Sequence, residues 1–259
     1  MPMRNNAVLV TGASSKIAQA VIKKLLLLNV SKVYAVSRGF SAAENQWLTS
    51  EQRIECLVCD YSEEDIGEVI HTIRAGSFPL TQVYICHGVL HTKNQSKNVN
   101  NQSAIEVNPE KRLEDIDVDA MMQVFKANTL TPALWLKHLP SVVKHDKPCV
   151  VTVFSARVGS ISDNQLGGWY SYRASKAALN MLVKTAAVEY SRRAKNVKLI
   201  AFHPGTTDTP LSKPFQANVK PGKLFNAEFV AEQLLTIVAN LPIDQQAQFL
   251  DWQGKTVHW

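Results

Sequence analysis

No apolar run in this 259-residue chain approaches the roughly 20 residues that cross a bilayer as a helix. The stretch from Met1 to Asn6 is too short and too polar for a secretory leader. Both absences lead to the expectation of a cytoplasmic protein with no membrane partner. Cysteine is scarce. Cys56, Cys59, Cys86 and Cys149 lie in or beside apolar runs and read as reduced, mostly buried thiols. Cys56 and Cys59 have the spacing of a redox or metal pair, but no second pair exists to complete a zinc site, so no metal is expected. The net charge of +6 is dispersed, with no basic stripe interleaved with aromatics. That pattern argues against nucleic acid and in favour of a phosphate-bearing cofactor. No repeat and no linker divides the chain, so one domain over residues 1–259 is expected.

What is present is an alternation of short β-rich runs with helical ones. The strands expected are 7–11, 32–37, 54–59, 82–86, 150–154, 197–202 and 247–250. Helices are expected over 17–28, 65–75, 172–193 and 225–240, with a long stretch over 119–144 interrupted at Pro132 and Pro140. Such alternation predicts an α/β fold, a doubly wound parallel sheet of the Rossmann type with helices on both faces. Ligands of these sheets bind beyond the carboxyl ends of the strands. One segment breaks the rhythm: residues 91–112, rich in Asn, Gln, Ser and Lys, read as a mobile surface loop, either idle or a flap over the substrate.

The first strand runs into Thr11-Gly12-Ala13-Ser14-Ser15-Lys16-Ile17-Ala18 and then a helix. A strand, a glycine turn and a helix N-terminus form an anion cradle, because backbone N–H groups and the helix dipole both favour negative charge. Gly12, Ser14, Ser15, Lys16 and Ile17 are the candidate phosphate-binding residues. The dinucleotide fingerprint has three glycines; here only Gly12 stands, with Lys16 and Ala18 in the later places. The Lys16 charge is expected to compensate by contacting a phosphate. The second strand ends in Ser37-Arg38, and no acid lies between Lys32 and Ala43. An acid there would hold a ribose 2′-hydroxyl, whereas arginine suits a 2′-phosphate. NADP(H) is therefore expected, with NAD(H) as the alternative. Asp60 and Tyr61 follow the third strand and Cys86-His87-Gly88 ends the fourth. Asp60 could accept from an adenine amino group, and Gly88 could let backbone lie close to a ribose.

The sharpest signal is Tyr172 with Lys176, four residues apart and so on one face of a helix. A phenol alone titrates near ~10. An adjacent ammonium favours the phenolate and moves the group toward useful acid/base range.

Taken in order, Thr11-Gly12-x-x-x-Lys16-x-Ala18, Asp60, Cys86-His87-Gly88, Asn128, Tyr172-x-x-x-Lys176 and Pro204-Gly205 resemble the short-chain dehydrogenase/reductase family. Ser155 to Ile161, Gly167 to Tyr172 and Asp251 to Gly254 are similar to its C-factor-like and sniffer-like carbonyl reductases. The resemblance covers almost the whole chain. It implies reversible hydride transfer between NAD(P)(H) and a small carbonyl or alcohol substrate. Tyr172 would be the acid/base, Lys176 would lower its pKa and hold the nicotinamide ribose, and Asn128 would hold a water linking Lys176 to solvent. Pro204 and Gly205 would contact the nicotinamide end, with Thr206, Thr207 and Thr209 near its carboxamide or phosphates. Counted back from Gly159, the family's serine falls on Ala156. Ser155 is the expected carbonyl-polarising serine and Ser160 the reserve. Trp169, Leu211 and Phe215 are expected in a partly apolar substrate pocket. The resemblance also admits a homodimer or homotetramer. A different class of function, a nucleotide-binding signalling or sensor protein with little turnover, is motivated by the altered glycine turn and the displaced serine.

Overall fold

The computed structural model describes residues 5–92 and 105–259. In chain order the elements are β1 (Ala7–Thr11), α1 (Lys16–Leu27), β2 (Lys32–Ser37), α2 (Gln46–Ser50), β3 (Ile54–Val58), α3 (Glu63–Ala75), β4 (Leu80–Ile85) and α4 (Val118–Phe125). There follow a π-helical turn (Lys126–Leu130), α5 (Thr131–His138), α6 (Pro140–Val143), β5 (Cys149–Phe154), α7 (Tyr170–Arg193) and β6 (Val197–His203). The two-residue strands β7 (Thr206–Thr207) and β8 (Leu224–Phe225), α8 (Ala227–Asn240) and β9 (Gln248–Asp251) complete the list.

Seven strands form one parallel sheet in the order β3-β2-β1-β4-β5-β6-β9. The strand order reverses between β1 and β4, which opens a crevice at their carboxyl ends. Every residue of β1 and β5 is buried, as expected of strands covered on both faces. Alternate side chains enter different layers. Leu9, Val83, Val151 and Leu199 pack with Ile66, Trp135 and Leu179 beneath α3, α5 and α7. Val8, Val10, Val33 and Ile200 pack with Val21 and Leu234 beneath α1 and α8. Cys59 belongs to the first layer and Cys56 packs against the second, so the sheet itself separates the two thiols. Among the described residues, no helix is long and apolar enough to cross a membrane.

The boundaries follow local chemistry. Ser62 caps α3 by accepting the Asp65 N–H at 3.2 Å, which starts that helix two residues before its expected beginning at Asp65. Asn226 caps α8 in the same way, accepting from Phe229 at 2.7 Å, so Phe225 is free to pair in β8. Between α4 and α5, Pro132 has no N–H to give the Asn128 carbonyl. Thr131 reaches back instead to the Lys126 carbonyl through both its N–H and its hydroxyl, the latter at 3.0 Å. The residues 93–104 of the expected loop lie outside the described residues. Its nearer end is anchored: Thr92 and Val107 exchange backbone and side-chain hydrogen bonds at 2.9 and 3.0 Å.

Candidate active site

The glycine turn after β1 is built as its sequence implies. Gly12 has φ +68°, and a Cβ there would stand 2.7 Å from the Cys86 carbonyl oxygen. Its own carbonyl accepts the Ser15 N–H at 2.9 Å, and the Ser15 hydroxyl accepts the Ala18 N–H at 3.3 Å, capping α1. Ser37 donates to the Ser14 hydroxyl at 2.9 Å, joining the ends of β2 and the turn. Lys16 is exposed at the first position of α1, with Ile17 half-buried beside it. The Lys16 charge helps hold the Asp208 carboxyl below its usual range, after the stronger effect of the Gln216 hydrogen bond.

Arg38 is exposed at the end of β2 and forms no ion pair among the described residues. Its field reaches Tyr61 and His87. The exposed Asp60 accepts the Ser62 N–H at 2.6 Å and donates its own N–H to Asp65 at 2.8 Å. Tyr61, at φ +71°, sets its ring edge-on to His87 with centroids 4.4 Å apart. His87 shares a 2.9 Å hydrogen bond with the Thr11 hydroxyl. Burial first, then the charges of Lys176 and Arg38, push His87 down to about 3. The imidazole so held is neutral at ordinary pH, and its bond to Thr11 joins the ends of β1 and β4.

Tyr172 and Lys176 share one face of α7. The Lys176 ammonium is buried and donates to the carbonyls of Phe154 at 2.9 Å and His87 at 3.5 Å, lying 5.9 Å from the Tyr172 ring centroid. Burial pushes Lys176 down to about 7 and Tyr172 up to about 12. This corrects the sequence argument, in which the ammonium draws the phenol down: desolvation disfavours the charged form of each and wins at both. Two glycines make room. A Cβ at Gly159 would meet the Lys176 Cβ at 2.7 Å, and one at Gly88 would stand 3.7 Å from the Lys176 Nζ.

Asn128 is fully buried. Its amide accepts the Val89 N–H at 2.7 Å and donates to the Val89 carbonyl at 2.9 Å and the Ser175 hydroxyl at 3.0 Å. Ser175 in turn donates to the Tyr172 carbonyl at 2.8 Å. The side chain is thus a clamp between the loop after β4 and α7. Its main-chain carbonyl is the group that Pro132 deprives of the usual donor.

Ser155 is buried just after β5. Its hydroxyl donates to Asn180 at 2.6 Å, and Asn180 donates to the Gly159 carbonyl at 3.2 Å. These bonds fasten the turn after β5 to α7 and engage the one proton that a hydroxyl carries. Ser160 is also buried; its hydroxyl accepts the Asp163 N–H at 3.2 Å and lies 3.3 Å from the Ser162 hydroxyl. The position that counts correctly from Gly159 holds Ala156.

Pro204 and Gly205 follow β6. Gly205 has φ +73°, and a Cβ there would press into the Phe225 ring at 2.6 Å. Thr207 is buried and its hydroxyl has no partner among the described residues, an orphan inside this segment. The Thr209 N–H donates to the Ser212 hydroxyl at 3.3 Å. The rings of His91, Phe215, Trp169 and Tyr172 form a chain with centroid spacings of 5.8, 5.0 and 6.2 Å. Leu211 closes on the same space, 3.8 Å from where a Gly88 Cβ would be. Two polar residues that sequence reasoning missed, Glu110 and Asn180, contact this region from long range. Glu110 is 61 residues from its partner Ser171, and nothing local in the sequence marks it. Among the described residues, no three His, Cys, Asp or Glu side chains gather as a metal site.

A parallel sheet with this strand order, a glycine turn at its crevice and a Tyr-Lys pair on the helix after β5 define a dinucleotide-type oxidoreductase architecture. A family model described as short chain dehydrogenase matches residues 6–220, and the chain belongs to that family. It is 30% identical to the 1-hydroxy-2-glutathionyl-2-methyl-3-butene dehydrogenase of Rhodococcus sp. (strain AD45) over 146 residues, which are 56% of this chain and 61% of that one. It is 28% identical to the C-signal of Myxococcus xanthus over 147 residues, 57% of this chain and 83% of that protein. The crystal structure of NADPH-bound carbonyl reductase from chicken fatty liver superposes with a TM-score of 0.78 at 23% identity, covering 99% of this chain and all of that one.

Proposed function

We propose that the protein is an NADP(H)-dependent reductase of small carbonyl compounds, with Tyr172 as the acid/base. The observation that carries this reading is the Tyr172–Lys176 pair on one face of α7, the tyrosine half-buried and the buried ammonium held by the Phe154 and His87 carbonyls at the ends of their strands. The cradle fits a dinucleotide: only glycine can occupy position 12, and the N–H groups opening α1 face the crevice. Ser37 and the unpaired Arg38 suit a 2′-phosphate, Lys16 suits the pyrophosphate, and Asp60 and Tyr61 suit the adenosine. Cys86, His87 and Gly88 would line the ribose. Pro204, Gly205, the orphan hydroxyl of Thr207 and Thr209 would meet the carboxamide end. When bound, the nicotinamide supplies the hydride that the protein cannot.

The protein's own residues manage the proton. A phenol held near 12 is fully protonated at neutral pH and is a donor to a carbonyl oxygen. Lys176, in its protonated form, would offset the charge that Tyr172 acquires on giving its proton away. The Asn128 carbonyl is placed to hold a water from which the proton is restored. With the Ser155 proton given to Asn180, Tyr172 is the donor on which this reading relies. Loss of one such donor costs roughly 10²–10³ in turnover, so slow reduction is expected. The aromatic wall of Trp169 and Phe215 favours an aromatic carbonyl, and benzil is a suitable probe.

The missing serine donor favours a second reading, a nucleotide-binding sensor with little turnover. Titration with NADPH and NADH, followed by consumption of NADPH with benzil, separates the two. Preferred NADPH binding with turnover supports the reductase. Binding with no turnover across a panel of carbonyls favours the sensor, and binding of neither nucleotide removes both.

A further inference from the structure

The helix that carries Tyr172 has no cap of its own. Its N-cap residue is Trp169, left-handed at φ +53°, whose side chain caps nothing. The turn before it, Gly167 and Gly168, is also left-handed. The first N–H groups of a helix are costly to bury unpaired. Here the partner comes from elsewhere in the chain. Both carboxylate oxygens of Glu110 stand 3.2 Å from the Ser171 N–H, and the Ser171 hydroxyl donates to the same carboxylate. The Glu110 carbonyl accepts the Trp169 N–H at 2.6 Å.

Glu110 is 6% exposed and forms no ion pair among the described residues. Burying an unpaired carboxylate is expensive; two donors from one residue and the positive end of α7 offset that cost. A neutral Ser or Asn would cap a helix more cheaply. What the carboxylate adds is grip: it holds the backbone and the side chain of Ser171 together, one residue before Tyr172. The segment that carries it is itself fixed, with Val107 buried and paired to Thr92. Glu110 and Ser171 line one small pocket together with Leu90, Pro109, Val124 and Tyr172.

We propose that Glu110 is a positioning residue for Tyr172, a cap supplied from a distant segment of the same chain that sets where the phenol stands over Lys176. The inference rests on the reading of Tyr172 as the acid/base. A displacement of about 1 Å at a catalytic group can cost ~10²-fold in rate.

The test compares Glu110→Ala, Glu110→Gln and Tyr172→Phe in the full chain, with benzil and NADPH deuterated at the transferred position. Glu110→Ala is expected to lower kcat at least tenfold, to leave the NADPH Kd within twofold, and to raise the isotope effect on kcat as proton and hydride transfer become limiting. Glu110→Gln keeps one acceptor oxygen and is expected to recover most of the rate. A residue that only stabilised the fold would lower the active fraction and leave the isotope effect unchanged, and that result overturns the proposal. If Tyr172→Phe is inactive while Glu110→Ala matches the parent, only the Glu110 inference falls; if Tyr172→Phe turns over normally, the acid/base reading falls. Amide hydrogen exchange decides the positioning without any substrate. Protection lost in Glu110→Ala over residues 171–173, and kept over 179–190, supports it; no loss, or equal loss along α7, refutes it.

Discussion

Ser155 gives its one hydroxyl proton to the Asn180 side-chain oxygen across 2.6 Å, in the buried interior of the protein. The bond joins the end of β5 to the helix that carries the catalytic pair. On the proposed reading it makes Ser155 part of the frame rather than the group that polarises the carbonyl. Ser155→Ala is expected to leave Asn180 short of a donor, costing about 1–3 kcal/mol of stability, while kcat stays within twofold. Ala156→Ser is expected to raise kcat. Thermal unfolding and initial rates for both variants check this; a slowed chemical step in Ser155→Ala returns that serine to catalysis.

Arg38 stands alone at the end of β2, and the segment before the first acid, Glu44, offers no carboxylate for a ribose hydroxyl. Arg38→Glu is expected to raise the Kd for NADPH at least tenfold and to change the Kd for NADH little. Equal changes for the two nucleotides dismiss the 2′-phosphate assignment.

Lys176 carries a stability cost with a definite pH window. Burial holds its folded pKa down to about 7, from an ordinary value of 10.5. Between those values the unfolded chain binds a proton that the folded one does not, so this group makes stability rise with pH. Its penalty is full below pH 7 and gone above 10.5. Lys176→Met is therefore expected to unfold at higher temperature near pH 7, with the gain fading toward pH 10, and to be inactive. A gain that does not depend on pH contradicts the assignment. His87 acts in the acid range: held down to about 3 from 6.5, it loses the protein stability as pH falls through that interval.

Gly12→Ala is expected to abolish nucleotide binding. The added methyl meets the Cys86 carbonyl at 2.7 Å, in a backbone conformation at φ +68° that alanine resists. Unchanged NADPH affinity in a folded variant sinks the cradle.

The sheet was legible because burial on both faces writes itself as short β-branched runs, and the ligand edge follows from their alternation with helices. Gly12, Asp60, Gly88 and Lys176 were legible because each sits at a strand end or on a helix face that periodicity locates. The direction of the Ser155 hydroxyl was not, since it depends on Asn180, 25 residues on. Nor was Glu110, whose role exists only once the loop after β4 is folded against α7. The shift of Tyr172 was misjudged for the same reason: the charge four residues away is visible in sequence, while the depth of burial is a property of the assembled layers.

The most direct test of the central claim is the consumption of NADPH with benzil by Tyr172→Phe at saturating cofactor, beside its Kd for NADPH. Unchanged binding with turnover abolished is the result this account predicts. Turnover at the parent rate would contradict it, and would assign the proton on the carbonyl oxygen to some other donor.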